Sequence, residues 1–206
     1  ICANMMDIAA VLDLNENAVD IRVLTSIGNC YRKLKTFEKG IYYFERALSM
    51  DPKNFYVLFG LADCYRGMNQ QYRSVEYWNR ILEFDPKNKV ILTRAGDAYR
   101  NTGDYKTAES YYNKAMDIDF DIYAALGLAL ICKGQGNYEE AATKLKELVD
   151  GDPKNYRLYI DLADCYIKLN RKDDAINLLK SFQALGTKST TIDELLEKIE
   201  NDKPII

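Results

Sequence analysis

The chain has 206 residues, of which 48% are apolar and 29% charged, a balance that fits a folded protein and argues against disorder. A formal charge of -3 gives no general attraction to nucleic acid or to an anionic membrane surface. There is no histidine, which removes the commonest general base and the commonest transition-metal ligand, and no apolar run approaches the roughly 20 residues that span a bilayer.

The first segment, ICANMMDIAAVLDL, places Ile1, Met5, Ile8, Ala9 and Leu12 at helical spacing, so residues 1–20 read as a partial repeat or an N-terminal cap. The chain starts on Ile rather than Met, which is expected of a fragment or a processed product. From Ile21 a pattern begins that recurs 34 residues later: Leu24/Leu58, Cys30/Cys64, Tyr31/Tyr65, Arg32/Arg66, Tyr43/Tyr77 and Arg46/Arg80, each copy closing on DPKN. A fixed period of this size is the mark of a solenoid, in which each unit buries its apolar face on its neighbours.

Five units follow in register, at 21–54, 55–88, 89–121, 122–155 and 156–188, with a capping helix and tail at 189–206. The spacing predicts helices near 20–34 and 37–50, near 55–68 and 71–84, and near 89–102 and 105–118. NTGDY and GQGNY make the turns inside the third and fourth units, and Gly103 suits the left-handed position after a helix end. The third unit lacks the proline and is one residue short at Asp119-Phe120-Asp121. In TTIDELLEKIE, Thr191 and Glu194 have capping-box spacing, and the final NDKPII is expected to fray. Proline disfavours helix in the residue before it, so Asp51, Asp85 and Asp152 are expected to end helices, with Asn54, Asn88 and Asn155 as N-caps of the next.

Cys30, Cys64 and Cys165 share one slot and Cys132 sits one position later. Equivalent slots in stacked helices lie about 8–10 Å apart, too far for a disulfide. These cysteines read as small buried residues of a reduced protein, which points to a cytoplasmic location.

The pattern resembles the tetratricopeptide repeat (TPR). Small residues stand at the eighth and twentieth positions (Gly28 and Gly40, Ala62 and Ser74, Gly96 and Ala108, Ala129 and Ala141, Ala163 and Ala175), and large ones at the eleventh and twenty-fourth (Tyr31 and Phe44, Tyr65 and Trp78, Tyr99 and Tyr112, Tyr166 and Leu179). Departures are Cys132 for an aromatic, Ile81, Leu148 and Phe182 where alanine is usual, and two missing prolines. The resemblance implies an all-α fold, a right-handed superhelical solenoid of antiparallel helix pairs with terminal capping helices, whose first helices line a concave groove.

It also implies which residues face that groove. In chain order they include Asn29 and Arg32; Tyr56, Phe59, Asp63 and Arg66; Arg94, Asp97 and Arg100; Tyr123, Leu126, Leu130 and Lys133; and Ile160 and Asp164. Arg32, Arg66, Arg100 and Lys133 form a cationic ladder suited to an acidic peptide or a terminal carboxylate. The same cations can instead be satisfied within the chain, because Asp63 and Asp97 lie three residues before Arg66 and Arg100. The apolar members suggest a grip on apolar side chains, or else belong to the core between repeats. Of the clamp some TPR domains use for acidic tails, only Asn29 and Arg94 match, so that arrangement is not expected.

The reading is a non-enzymatic protein–protein interaction scaffold that takes a peptide or partner segment, with no cofactor, no metal, no nucleic acid and no membrane span. An RNA-binding helical repeat is the alternative, disfavoured by the acidic balance and by Trp78 in a core slot. A second alternative is self-association into a homo-oligomer, with Pro204-Ile205-Ile206 docking in a neighbouring copy.

Overall fold

The computed structural model describes residues 20–201. The proposed helix over 1–20 and the tail after Asn201 fall, apart from Asp20, outside the described residues. Within them every regular element is an α-helix. We number them α1 (Ile21–Lys33), α2 (Phe37–Met50), α3 (Phe55–Gly67), α4 (Gln71–Leu82), α5 (Lys89–Asn101), α6 (Tyr105–Met116), α7 (Ile122–Gly134), α8 (Tyr138–Gly151), α9 (Tyr156–Lys168), α10 (Lys172–Ala184) and α11 (Thr190–Glu200).

Two compact units divide the chain between Asp119 and Phe120, at the segment where the third repeat loses its proline. The first holds α1–α6 as three helix pairs. Each helix packs on the next in sequence, and α1 also touches α3, so the pairs lie in file. The second holds α7–α11 as two pairs, with α11 packed on α10.

The short turns inside the pairs have a common cause. A helix that must reverse in three residues needs one of them in the left-handed region, and Lys35, Asn69, Gly103, Gly136 and Asn170 all have positive φ there. Glycine and asparagine accept this conformation easily; Lys35, at φ 59, does not.

The DPKN corners work by a shared contact. The amide nitrogens of Asn54, Asn88 and Asn155 donate to Asp51, Asp85 and Asp152 at 3.1, 2.7 and 3.2 Å. Asn54 and Asn88 also cap the next helix by accepting from the backbone of Val57 and Ile91. Two expectations need correction here. Asn155 makes no side-chain cap, because the Leu158 N–H bonds the Asn155 carbonyl in a tightened first turn. Asp85 does not end α4; the helix closes at Leu82, and the N–H groups of Phe84 and Asp85 both turn back to the Ile81 carbonyl. A third correction concerns α11. Its N-cap is Ser189, whose hydroxyl accepts from the Ile192 N–H, and not Thr191. Starting there buries Ile192, Leu196 and Ile199 on one face.

Packing follows the small–large alternation. The Ser74 hydroxyl donates to the Ala62 carbonyl at 2.8 Å, and a Cβ on Gly40 would lie 3.3 Å from the Gly28 carbonyl, so the paired backbones nearly touch. Phe44, Trp78, Tyr112, Leu145 and Leu179, all from the twenty-fourth position, are fully buried. Phe44 is wedged against two glycines: Gly28 of its own repeat, and Gly60 of the next, where a Cβ would meet the ring at 2.3 Å. Stacked tyrosines recur at the repeat spacing, Tyr31 on Tyr43, Tyr65 on Tyr77 and Tyr99 on Tyr111. Asn79 ties the last of these pairs to the preceding repeat, accepting from the Tyr111 hydroxyl at 2.8 Å. Cys30, Cys64, Cys132 and Cys165 are buried and form no disulfide with one another. Burial pushes the Cys64 thiol up to about 12, which makes it a poor nucleophile.

Candidate binding surface

The first helices of the three pairs in unit one, α1, α3 and α5, bring most of the predicted groove residues together. At their centre is Asp63, only 8% exposed. Three arginines from three repeats converge on it. Arg66 reaches it from the same helix with Nε and Nη2 at 3.0 and 2.6 Å. Arg32 donates Nη1 to its other oxygen, steadied by Asn29, whose side-chain oxygen accepts from Arg32 Nε at 3.3 Å. Arg94 approaches to 3.7 Å. Burial alone would push the Asp63 carboxyl up, but the hydrogen bonds from Arg66 and Arg32 outweigh it and hold the group below the usual carboxylate value.

Arg94 is the least satisfied of the three. Its guanidinium lies over Phe59 and Trp78, 5.2 and 5.8 Å from the ring centroids. Its Nε is buried with no hydrogen-bond partner. Burial lowers its hold on its proton; Asp63 opposes that, and the like charges of Arg66 and Arg32 add to it. Phe59 is half-buried against Trp78 and so forms a floor rather than a free wall. Tyr56, by contrast, is 71% exposed.

Next along α5, Asp97 accepts from the Tyr112 hydroxyl at 2.7 Å, and Arg100 donates Nε to the same hydroxyl at 3.2 Å. Arg100 and Asp97 also pair at 3.7 Å. The cationic ladder of unit one is therefore a network with internal carboxylates, in which three guanidinium groups share Asp63.

In unit two, Lys133 bridges Asp161 and Asp164 at 2.8 and 2.9 Å, which joins α7 to α9. Leu126 and Ile160 are half-buried and pack against the unit's core. Leu130 is also half-buried, whereas Tyr123 is 69% exposed.

Asp161 and Trp78 were not among the predicted site residues. A signal for the first exists in the repeat itself. The sixth position is small in three repeats (Ser26, Gly60, Gly127) and charged in two (Arg94, Asp161). The twenty-fourth residue of one repeat abuts the sixth of the next, as Phe44 does Gly60 and Trp78 does Arg94. A charge at the sixth position therefore lands beside a core side chain and needs a partner. Among the described residues no group of three His, Cys, Asp or Glu side chains could hold a metal ion, and no helix is long and apolar enough to cross a membrane.

Models of the tetratricopeptide repeat match residues 21–54 and 91–122, residues 43–76 and residues 134–199. No curated protein matches the sequence. Among solved structures, the chain is similar to a tetratricopeptide repeat protein from Parabacteroides merdae ATCC 43184, with TM-score 0.82 and 22% identity, over 96% of this chain and 78% of that one. It also resembles PilW, a type IV pilus biogenesis factor, with TM-score 0.73 and 19% identity, over 88% of this chain and 84% of that one. Yeast Tom70 matches with TM-score 0.66 and 19% identity, over 94% of this chain and 42% of that one.

Proposed function

The chain belongs to the tetratricopeptide repeat family, and from that premise we propose that it is a non-enzymatic scaffold that holds an acidic segment of a partner protein against α1, α3 and α5. The observation that carries this reading is Arg94. A half-buried guanidinium with an unbonded Nε shares one carboxylate with two other arginines, so the cluster is short of negative charge. A carboxylate from a partner would complete it, with Phe59 and Trp78 as an apolar floor and Tyr56 exposed nearby on α3. The neighbouring Asp97 and Arg100 are already paired, which concentrates the attraction at Arg94.

Trp78 is the single tryptophan of the chain and lies under Arg94, so its emission is a built-in reporter. A Glu-rich peptide with a free C-terminus is expected to change that emission on titration, and to bind less tightly as salt rises. Arg94→Gln should weaken it about tenfold or more, the worth of one charge-assisted hydrogen bond. Equal affinity for wild type and Arg94→Gln would overturn the proposal.

A further inference from the structure

The charge around Asp63 is out of balance by a definite amount. Arg32, Arg66 and Arg94 meet on Asp63, and Arg100 pairs with Asp97, which lies close enough to act on Arg94 as well. Among the described residues, Asp63 and Asp97 are the carboxylates that pair with these four guanidinium groups, so α1, α3 and α5 hold an excess of two positive charges at one place. Part of that charge is open to solvent: the side chains of Arg66 and Arg94 are 45% and 34% exposed. Arg94 Nε is itself buried, so a ligand meets Arg94 at its terminal nitrogens. The two exposed groups are also close together. Arg66 Nη2 and Arg94 Nη1 approach the same Asp63 oxygen, Oδ1, at 2.6 and 3.7 Å.

An occupant has to match this place in charge, shape and reach. A carboxylate brings one negative charge and two oxygens in a plane, which a single guanidinium fork uses up. A phosphate monoester brings about 1.5 to 2 negative charges near neutral pH, and three oxygens set as a tripod, so it engages two forks at once and neutralises the excess. Nucleic acid matches less well, because it strings one charge per phosphate along its length instead of gathering two at a point. The same face of α3 offers a second contact. Tyr56, 71% exposed, stands seven residues before Asp63, about 10 Å along the helix axis, with half-buried Phe59 between them. Three residues of extended chain cover about the same distance. We propose that the cluster takes a phosphorylated serine or threonine of the partner segment, with the phosphate between Arg66 and Arg94 and an apolar side chain three residues away on Tyr56. The proposal rests on the scaffold reading above and adds a switch to it: the partner is held tightly once it is phosphorylated.

The test is a calorimetric titration of the full chain at constant ionic strength. The ligands are a peptide carrying phosphoserine with a leucine three residues to either side, the same peptide with glutamate in place of phosphoserine, inorganic phosphate, and a single-stranded oligonucleotide. The phosphopeptide is expected to bind about tenfold or more tightly than each of the others. Arg66→Gln should remove its advantage over the glutamate peptide, and Tyr56→Ala should weaken it about fivefold, both with unchanged far-ultraviolet circular dichroism, since both side chains reach solvent. Equal binding of the two peptides overturns the phosphate assignment and leaves the acidic-segment scaffold standing. Binding of neither overturns the proposal, and the Glu-rich peptide described above then decides whether the scaffold reading falls with it. Inorganic phosphate or the oligonucleotide binding as tightly as the phosphopeptide overturns the proposal in favour of a free-anion or nucleic-acid site. It is overturned too if either variant binds the phosphopeptide as wild type does.

Discussion

Asp63→Asn removes the one carboxylate on which three repeats converge, while keeping its size and one accepting oxygen. The cost can be worked contact by contact. The Arg32 bond is the most enclosed, between side chains 22% and 11% exposed, and a hydrogen bond to a charged group in such a place is worth about 1.5–3 kcal/mol. Arg66 is 45% exposed and contributes less, about 0.5 kcal/mol once solvent screening is allowed for. Arg94, at 3.7 Å, gains no good hydrogen bond but loses the larger of its two compensating charges, Asp63 acting on it more strongly than Asp97. Asparagine keeps part of the first contact, so the expected loss is about 2 kcal/mol, small beside the 3–5 kcal/mol seen when a fully buried pair is broken. The pH dependence has a definite sign. The folded-state Asp63 carboxyl titrates below its unfolded value, so its contribution is complete above roughly pH 4 and is lost as pH falls through the folded value. Urea unfolding followed by Trp78 emission should therefore show a gap between wild type and Asp63→Asn that is full at pH 6 and shrinks toward pH 3. A variant as stable as wild type at pH 6, or a gap that does not change with pH, would refute the reasoning.

Two further substitutions test the packing and the turns. Gly60→Ala puts a methyl 2.3 Å from the fully buried Phe44 ring and should cost about 1–3 kcal/mol in urea unfolding despite alanine's better helix propensity; Gly151→Ala, where a Cβ meets nothing within 4 Å, is the control and should be neutral or stabilising. Lys35→Gly relieves a left-handed residue and should stabilise by about 1 kcal/mol, a rise in Tm of roughly 2–4 °C by thermal melting; no rise would mean that the turn carries no strain.

The helices and their core were legible because the repeat states them five times. Period and small–large alternation locate α1–α6 within a residue or two, and a buried side chain such as Phe44, Trp78 or Leu145 is named by its slot alone. The corners were less so. At Asn155 the Leu158 N–H takes the residue's backbone carbonyl in place of its side chain, and at the start of α11 the cap is Ser189 in place of Thr191 two residues on, each a local choice between acceptors of similar strength. The site was the least legible, for a physical reason. Asp63 lies 31 residues from both Arg32 and Arg94, so the cluster exists only once three repeats have stacked. A repeat reading compares equivalent positions and sees Arg32, Arg66 and Arg100 as a ladder. It does not see that Arg94, from a different slot, enters the same cluster. Residues that break the repeat while its geometry persists are placed by the scaffold beside partners the period does not name. In this chain Arg94 on Trp78 and Asp161 on Lys133 are such residues, and they are also where charge is concentrated against the core.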